Sequence, residues 1–250
     1  MTTSPGTFLV IGASGDIGSC VAKQLRSQEG ANVCLASRPS DRLDAFSSEL
    51  DSPKFELDAT KIESVAAAFD FAASELGAIT GVVNCVGSVL LKPAHLTSEQ
   101  EWHDTIATNL TSAFATVRAA GRAMSKTGGS VVLMSSAAAR IGLASHEAIA
   151  AAKAGVIGLA RSAAASYAPR GIRVNVVAPG LVKTKLTKKI WENERAAATS
   201  QAMHAVGRLG EPEEVARMVT FLMIPENSWV TGEVFSVDGG LGNVRLNQKG

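Results

Sequence analysis

The sequence is poor in the residues that build disulfide frameworks and metal sites. It contains one tyrosine, Tyr167, and three cysteines. Cys20, Cys34 and Cys85 lie in separate apolar runs. An odd, scattered set of this kind argues against disulfides and indicates reduced thiols in a reducing compartment. The four histidines share no metal-ligand spacing with one another or with the cysteines, so no metal site is predicted.

Neither charge nor hydropathy is strongly biased. The formal net charge is +1, which gives no global attraction to nucleic acid or to an anionic membrane. The first residues lack the basic segment and apolar stretch of a signal peptide, and no run approaches the ~20 apolar residues of a membrane span. The sequence therefore predicts a cytoplasmic protein with neither nucleic acid nor membrane as a partner.

What the chain does have is a regular alternation of short apolar runs and longer helical patterns. Strands are predicted at residues 7–12, 32–37, 54–60, 81–87, 129–136, 172–180 and 233–240. Helices are predicted at residues 16–30, 42–50, 61–76, about 97–126, 146–168 and 211–223. Alternating strands and helices of these lengths indicate parallel βαβ units. We therefore predict a single α/β domain over residues 1–250, with a doubly wound, Rossmann-type parallel sheet.

The first strand runs directly into a turn that suits a phosphate. This turn reads IGASGDIG and has glycines at positions 12, 15 and 18. Small residues let the backbone approach a pyrophosphate, and the following helix N-terminus offers free N–H groups and a positive dipole. A plain tight turn is the alternative, but the position between the first strand and helix favours a dinucleotide site. Its predicted members are Gly12, Ser14, Gly15, Asp16, Ile17 and Gly18.

The end of the second strand predicts which dinucleotide is bound. An acidic residue there would bind the ribose hydroxyls and repel a 2′-phosphate, but this chain has Ser37 followed by Arg38. A guanidinium can pair with a phosphate and stack on adenine, so NADP(H) is favoured over NAD(H), unless Arg38 is only a solvated surface charge. Asp58, at the end of the third strand, either accepts a hydrogen bond from the adenine amino group or caps its strand.

Several segments, in order along the chain, resemble the short-chain dehydrogenase/reductase family. Beyond the glycine turn they are NCVG at 84–87, EWHDTIATNLTSAF at 101–114, LMSS at 133–136, AAAKAGV at 150–156, RVNVVAPGLVKT at 173–184, GRLGEPEEVARMVTFLM at 207–223 and TGEVFSVDGG at 231–240. The resemblance implies hydride transfer with a nicotinamide cofactor. It implies active-site roles for Asn109, Ser136 and Lys153. It implies cofactor contacts from Asn84, Val86, Gly87, Lys153, Pro179, Gly180, Val182 and Thr184.

The same resemblance reveals a departure at the family's catalytic tyrosine. In the family that tyrosine lies thirteen residues after the serine and four before the lysine, and both counts lead here to Ile149. The family tyrosine protonates the carbonyl oxygen while the lysine lowers its pKa and holds the ribose. The serine orients the substrate, and the asparagine holds a water relay. Isoleucine has no ionisable hydrogen. Asp16 and Ile11 also depart, from the usual glycine and threonine.

Three candidates for a replacement proton donor can be weighed from the sequence. Tyr167 is too distant, because fourteen residues along a continuous helix from Lys153 correspond to ~21 Å. His146 precedes Ile149 by three residues and Lys153 by seven, so it is expected on the same helical face as a general acid or base. The alternative is that His146 is a partly exposed cap or loop residue. A water held by the remaining polar side chains is the third candidate.

Residues 180–207 correspond to the family's lid over the substrate. Four lysines fall at positions 183, 185, 188 and 189. They either attract a phosphorylated carrier, such as coenzyme A or acyl carrier protein, or form a solvated helix face. Trp191 and Met203 either line an apolar pocket or pack the lid on the core. The expected substrate is a small carbonyl or alcohol compound, with an acyl thioester as one option.

Two hypotheses for the function follow. The first is an NADP(H)-dependent oxidoreductase that acts on a carbonyl or alcohol without the usual tyrosine. The second, motivated by Ile149, is a non-catalytic sensor or partner-binding protein on the same frame. The family commonly assembles as dimers or tetramers, and the apolar, alanine-rich helix predicted at 146–168 fits a homodimer or homotetramer.

Overall fold

Seven parallel strands form one sheet in the computed structural model, which describes residues 6–245. The strands are β1 (Thr7–Ile11), β2 (Asn32–Ser37), β3 (Lys54–Glu56), β4 (Gly81–Asn84), β5 (Gly129–Met134), β6 (Ile172–Pro179) and β7 (Val234–Val237). Their spatial order is β3-β2-β1-β4-β5-β6-β7. The strand order reverses between β1 and β4, and ligands of such sheets bind outside the carboxyl ends at this point. The predicted doubly wound, single-domain fold is confirmed.

Helices cover both faces of the sheet. They are α1 (Asp16–Arg26), α2 (Asp41–Leu50), α3 (Ile62–Leu76), α4 (Glu99–Ile106), α5 (Ser112–Ala123), α6 (Glu147–Tyr167), α7 (Lys188–Trp191), α8 (Glu194–Met203) and α9 (Pro212–Met223). The apolar sides of α1, α2 and α9 enclose one core, and those of α3, α5 and α6 enclose the other. Because side chains alternate along a strand, Phe8 and Val10 of β1 enter the first core, whereas Leu9 and Ile11 enter the second.

Helix α1, the long fourth helix and the two helices of the lid differ from the prediction. Helix α1 ends at Arg26, and Gly30 has a left-handed φ of +72° in the turn that follows. The predicted long fourth helix is α4 and α5 joined by a π-helical turn at Ala107–Thr111. Helices α7 and α8 were not predicted. The first is only four residues long, and the second buries a single residue, Ala197, so neither leaves an amphipathic pattern.

Helix α6 is more apolar than the sequence reading allowed. Within the segment Glu147–Arg170, which includes the turn after the helix, an 18-residue window has a mean hydropathy of 1.3, so by length and composition alone the helix could cross a membrane. Lys153 and Arg161 interrupt this segment, so it contains no continuous apolar run of ~20 residues. The inner side of α6 packs on β6 and α5, as in the core helix of a globular domain. Only 44% of the apolar window is buried, so much of its surface faces outward.

Candidate active site

A groove of about 640 Å³ crosses the carboxyl ends of β1, β2 and β4, where the strand order reverses. It is lined by the glycine turn, the ends of the strands and the first part of the lid. The predicted cofactor residues in its lining are Gly12, Ser14, Gly15, Asp16, Ile17, Gly18, Ser37, Arg38, Asp58, Val86, Gly87 and Thr184. The structure therefore brings most of the predicted cofactor residues together.

The glycine turn is shaped so that a phosphate can approach its backbone. Gly12 has a φ of +85°, and a Cβ on Gly18 would lie 2.2 Å from the carbonyl oxygen of Gly12. Both positions therefore require glycine. Helix α1 begins after Gly15, and no side chain caps its N-terminus, which leaves backbone N–H groups for an anion. These residues fit the pyrophosphate of a dinucleotide.

The adenosine end of the groove is polar and lacks a carboxylate at the end of β2. The hydroxyl oxygens of Ser14 and Ser37 lie 2.5 Å apart and join the glycine turn to β2. Arg38 is exposed. The Asp58 carboxylate accepts the side-chain O–H and the backbone N–H of Thr60, at 2.7 and 2.9 Å, and both contacts lower its pKa. Asp58 thus caps its own strand end while it lines the groove.

Five residues predicted to contact the cofactor do not line the groove: Asn84, Lys153, Pro179, Gly180 and Val182. Asn84 is buried. Its amide donates to the Thr116 hydroxyl at 3.0 Å and its carbonyl oxygen accepts from the Val86 N–H at 2.9 Å, so it holds the neighbouring backbone in place. Pro179 and Val182 are also buried, and Gly180 lines an apolar pocket beside the lid.

Lys153 is buried at the centre of the site. Its Nζ donates to the carbonyl oxygen of Met134 at 2.9 Å, and burial lowers the pKa of this amine from 10.5 to about 8. A Cβ on Gly87 would lie 3.5 Å from Lys153 Nζ and 3.3 Å from Asn109 Oδ1. The lysine and the asparagine therefore converge on a glycine that lines the groove.

Asn109 is placed by the π-helical turn between α4 and α5. A single-turn π-bulge of this kind often marks a functional site, because it redirects one side chain out of the helix. The Asn109 amide donates to Ser88 Oγ and to the Thr105 carbonyl oxygen, both at 2.9 Å, and its Oδ1 accepts from the Ser88 N–H at 3.1 Å. Its orientation is thus fixed from two segments of the chain.

A second, mostly apolar pocket of about 210 Å³ lies between the end of β5, the start of α6 and the lid. Its apolar lining includes Val89, Leu91, Leu143, Ile149, Leu181, Ile190, Met203 and Leu241, and its polar side chains are Ser136, His146, Thr187, Ser200 and His204. Ile149 is only 5% exposed. An aliphatic side chain thus lines this pocket together with Ser136.

His146 lines this pocket but does not lie within α6. It is the N-cap residue that precedes the helix, with a φ of −115° and a ψ of 14°, and it is partly exposed. It therefore lies just outside the helical face expected with Ile149 and Lys153, but His146 and Ile149 line the same pocket. Its Nδ1 lies 2.7 Å from the Ala144 carbonyl oxygen. Because a carbonyl only accepts, Nδ1 carries the proton, and Nε2 of the neutral ring is an acceptor.

The lid is folded onto the domain by specific contacts. The indole N–H of Trp191 donates to the Thr184 carbonyl oxygen at 2.9 Å, so Trp191 packs the lid, whereas Met203 lines the pocket. Lys183 pairs with Glu211 at 2.7 Å. A second lid lysine, Lys188, pairs with Glu192 at 3.4 Å, so carboxylates of this chain neutralise two of the four lid lysines.

Tyr167 lies at the far end of α6, as predicted. A Cβ on Gly121 of α5 would lie 2.8 Å from its ring carbon Cζ, so the aromatic ring packs directly on the backbone of α5. The ring also contacts the core between α3, α5 and α6. Tyr167 is a packing residue at the helix end.

Sequence reasoning missed three residues that shape the site. Arg42 in the first turn of α2 lines the groove, and its only sequence signal was a basic residue shortly after the second strand. Ser88 directly follows the NCVG segment and fixes Asn109. His204 is 3% exposed and joins α8 to the backbone of Leu181. Nothing in the sequence distinguishes it from a surface histidine.

The chain is similar to known proteins over almost its whole length. The model of a family described as Enoyl-(Acyl carrier protein) reductase matches residues 12–242. D-threitol dehydrogenase of Mycolicibacterium smegmatis is 34% identical over 93% of this chain and 91% of its own. The 3-oxoacyl-[acyl-carrier-protein] reductase FabG of Vibrio cholerae is 38% identical over 93% and 96%. The structure of a short-chain type dehydrogenase/reductase from Mycobacterium ulcerans matches with a TM-score of 0.91, 31% identity and coverage of 97% and 91%.

Similarity of this extent, on a sheet with a nucleotide groove at its switch point, defines a hydride-transferring oxidoreductase of the Rossmann type. The chain belongs to the short-chain dehydrogenase/reductase family. The resemblance drawn from the sequence motifs is thereby confirmed.

Proposed function

We propose that the protein is an NADP(H)-dependent oxidoreductase that interconverts a carbonyl and an alcohol, with Ile149 at the position of the usual tyrosine. The observation that carries this proposal is the convergence of Lys153 and Asn109 on Gly87 in the groove lining. Ser136 lies in the separate pocket beside Ile149. Burial of a charged amine costs free energy of folding, and the place of Lys153 beside the groove supports a role for it in this site.

The preference for NADP(H) is supported by the adenosine end of the groove. Ser37 ends β2 where a carboxylate would repel a 2′-phosphate, and Arg38 next to it supplies positive charge. The bound cofactor supplies or accepts the hydride. The glycine turn and the N-terminus of α1 would hold its pyrophosphate, and Lys153 would hold the ribose next to the nicotinamide.

Proton transfer is assigned to His146. With Nδ1–H bound to the Ala144 carbonyl, Nε2 of the neutral ring takes the proton of an alcohol hydroxyl during oxidation. In the reverse direction the imidazolium returns that proton from Nε2 to the carbonyl oxygen. A general acid of this kind typically contributes ~10²–10⁴-fold. A water held by Ser136, Lys153 and Asn109 is the alternative donor.

The apolar pocket between β5, α6 and the lid favours a small substrate with a mainly apolar carbon skeleton. The pocket walls are mainly aliphatic, and Ser136 is placed to orient a polar oxygen. FabG relatives are named for a 3-oxoacyl thioester of acyl carrier protein, so we include acyl thioesters among the candidate substrates.

We further propose a cytoplasmic homodimer or homotetramer. The three cysteines are all free thiols.

The test is turnover of NADPH with a panel of ketones and 3-oxoacyl thioesters, followed by nicotinamide absorbance. We expect oxidation of NADPH by at least one compound. His146→Ala should lower that rate by ~10²–10⁴-fold, whereas His103→Ala, at an exposed site on α4, should not. An unchanged rate in His146→Ala would assign the proton to the bound water.

The rival proposal is a cofactor-binding protein without chemistry, favoured by the aliphatic Ile149. It predicts that NADPH raises the melting temperature while no compound in the panel is reduced. Tight NADPH binding without any turnover would select this rival.

A further inference from the structure

A chain of contacts crosses the groove between α2, the glycine turn and the lid. The Asp16 carboxylate accepts from the Arg42 guanidinium through Oδ1 at 2.7 Å and from the backbone N–H of Lys185 through Oδ2 at 2.6 Å. All three residues line the groove. Burial raises the pKa of the Asp16 carboxyl, but the Lys185 N–H and the Arg42 guanidinium lower it by more. Asp16 is therefore an anion at neutral pH.

Arg42 is held at the groove with most of its donors unused. A guanidinium has five N–H donors, and within residues 6–245 the Arg42 side chain makes only the contact to Asp16. The side chain is 38% exposed, so its remaining donors are accessible to a ligand. These donors form a planar fork that matches the oxygens of a phosphate.

Arg38 directly follows β2, Arg42 lies in the first turn of α2, and both line the groove. Arg42 reaches the glycine turn, because Asp16 holds it there. The paired hydroxyls of Ser14 and Ser37 join the glycine turn to the end of β2 in the same lining. A phosphate on an adenosine ribose bound in this part of the groove would therefore lie in a lining that contains both guanidinium groups.

We propose that Arg42 is a second cation for the 2′-phosphate of NADP(H), and that Asp16 is the positioning residue that orients its guanidinium. The inference rests on the proposed NADP(H) preference and assigns part of it to α2 and the glycine turn. Asp16 can orient Arg42 because its other oxygen is fixed by the N–H of Lys185. The donor fork is thus arranged before the cofactor arrives, which lowers the cost of binding.

The test is calorimetric binding of adenosine 2′,5′-bisphosphate and adenosine 5′-monophosphate, which differ in the 2′-phosphate. We expect Arg42→Gln to weaken the bisphosphate by on the order of tenfold to a hundredfold and the monophosphate by less than about threefold. Asp16→Asn keeps an acceptor for Lys185 but removes the ion pair, and should lower the bisphosphate preference severalfold. Arg118→Gln, which breaks an ion pair with Glu63 outside the groove, is the matched control.

The outcomes distinguish a failure of the role proposed for Arg42 from a failure of the proposed NADP(H) preference. A wild-type protein that binds both nucleotides equally would contradict the NADP(H) preference itself. If the wild type prefers the bisphosphate and Arg42→Gln keeps that preference while Arg38→Gln loses it, Arg42 has no part in recognition. An equal or stronger preference in Asp16→Asn would overturn the positioning role. Melting temperatures of all variants near the wild-type value exclude misfolding as the cause.

Discussion

At the residue scale, Lys153 is both unfavourable to bury as a charged group and central to the proposed function. An amine in a buried position favours its neutral form, and burial lowers the pKa of Lys153 to about 8. Its single hydrogen bond to Met134 leaves two donors for a ligand. The lysine is therefore mostly charged at neutral pH and loses its proton as the pH rises through about 8.

The pH dependence of turnover follows from this pKa. Because the role proposed for the ammonium form is to hold the cofactor ribose, cofactor affinity and rate should fall as the pH rises through about 8, approaching tenfold per pH unit above it. In Lys153→Arg the charge persists to much higher pH, so a weaker activity should remain flat over the same range. A wild-type profile without decline between pH 7 and 10 would contradict the role of the ammonium.

Individual side chains of the site were predictable only where a motif names them. Ser136, Asn109 and Lys153 were found because each stands in a recognisable segment. Arg42 and His204 were not, because their roles depend on contacts with residues 26 and 23 positions away along the chain. Such contacts are created by the fold and leave no local pattern.

At the scale of elements, one buried histidine joins the second lid helix, α8, to the segment that follows β6. His204 Nδ1 donates to the Ser200 carbonyl oxygen at 2.6 Å, and its Nε2 accepts from the Leu181 N–H at 3.1 Å. A Cβ on Gly180 would lie 2.5 Å from that nitrogen. The neutral ring thus ties α8 to the segment that ends β6.

Replacing His204 by leucine should loosen the lid. The variant leaves the buried Leu181 N–H without its acceptor, at a cost of about 1–3 kcal/mol in free energy of unfolding. Hydrogen exchange across α7 and α8 should accelerate, and KM for the substrate should rise more than kcat falls. His103→Leu, an exposed histidine on α4, is the control. Unchanged exchange in the lid would show that α8 is held by its apolar contacts alone.

The positions of the strands and of the core helices along the chain could be predicted from the sequence, because each element buries a regular apolar pattern. The lid helices were not, since α8 buries only Ala197 and its position depends on His204. The π-helical turn at Asn109 also escaped prediction, because one additional residue in a helical turn does not change composition.

At the scale of the whole molecule, the outer side of α6 carries small residues that allow a second helix to pack closely against it. Ala151, Ala154 and Gly158 are exposed at helical spacing, and a Cβ on Gly158 would meet nothing within 4 Å. Small residues on one side of an apolar helix let a second helix pack at short distance. This surface supports the proposed homo-oligomer.

Sedimentation velocity tests that assembly. We expect the wild type to sediment as a dimer or tetramer at micromolar concentration, and Ala154→Arg to shift the distribution towards monomer. Ala73→Arg, an equivalent change at an exposed position of α3, should leave it unchanged. A monomeric wild type would contradict assembly through α6.

The central claim of the proposed function is that the site is competent for hydride transfer with Ile149 at the position where the family motifs predict the tyrosine. The most direct measurement compares NADPH oxidation by the wild type and by Ile149→Tyr with the same ketone panel. The account predicts measurable turnover in the wild type and a gain of ~10²–10⁴-fold in the variant, because the buried lysine and the serine already flank position 149. No turnover in either protein, with NADPH binding intact, would contradict it.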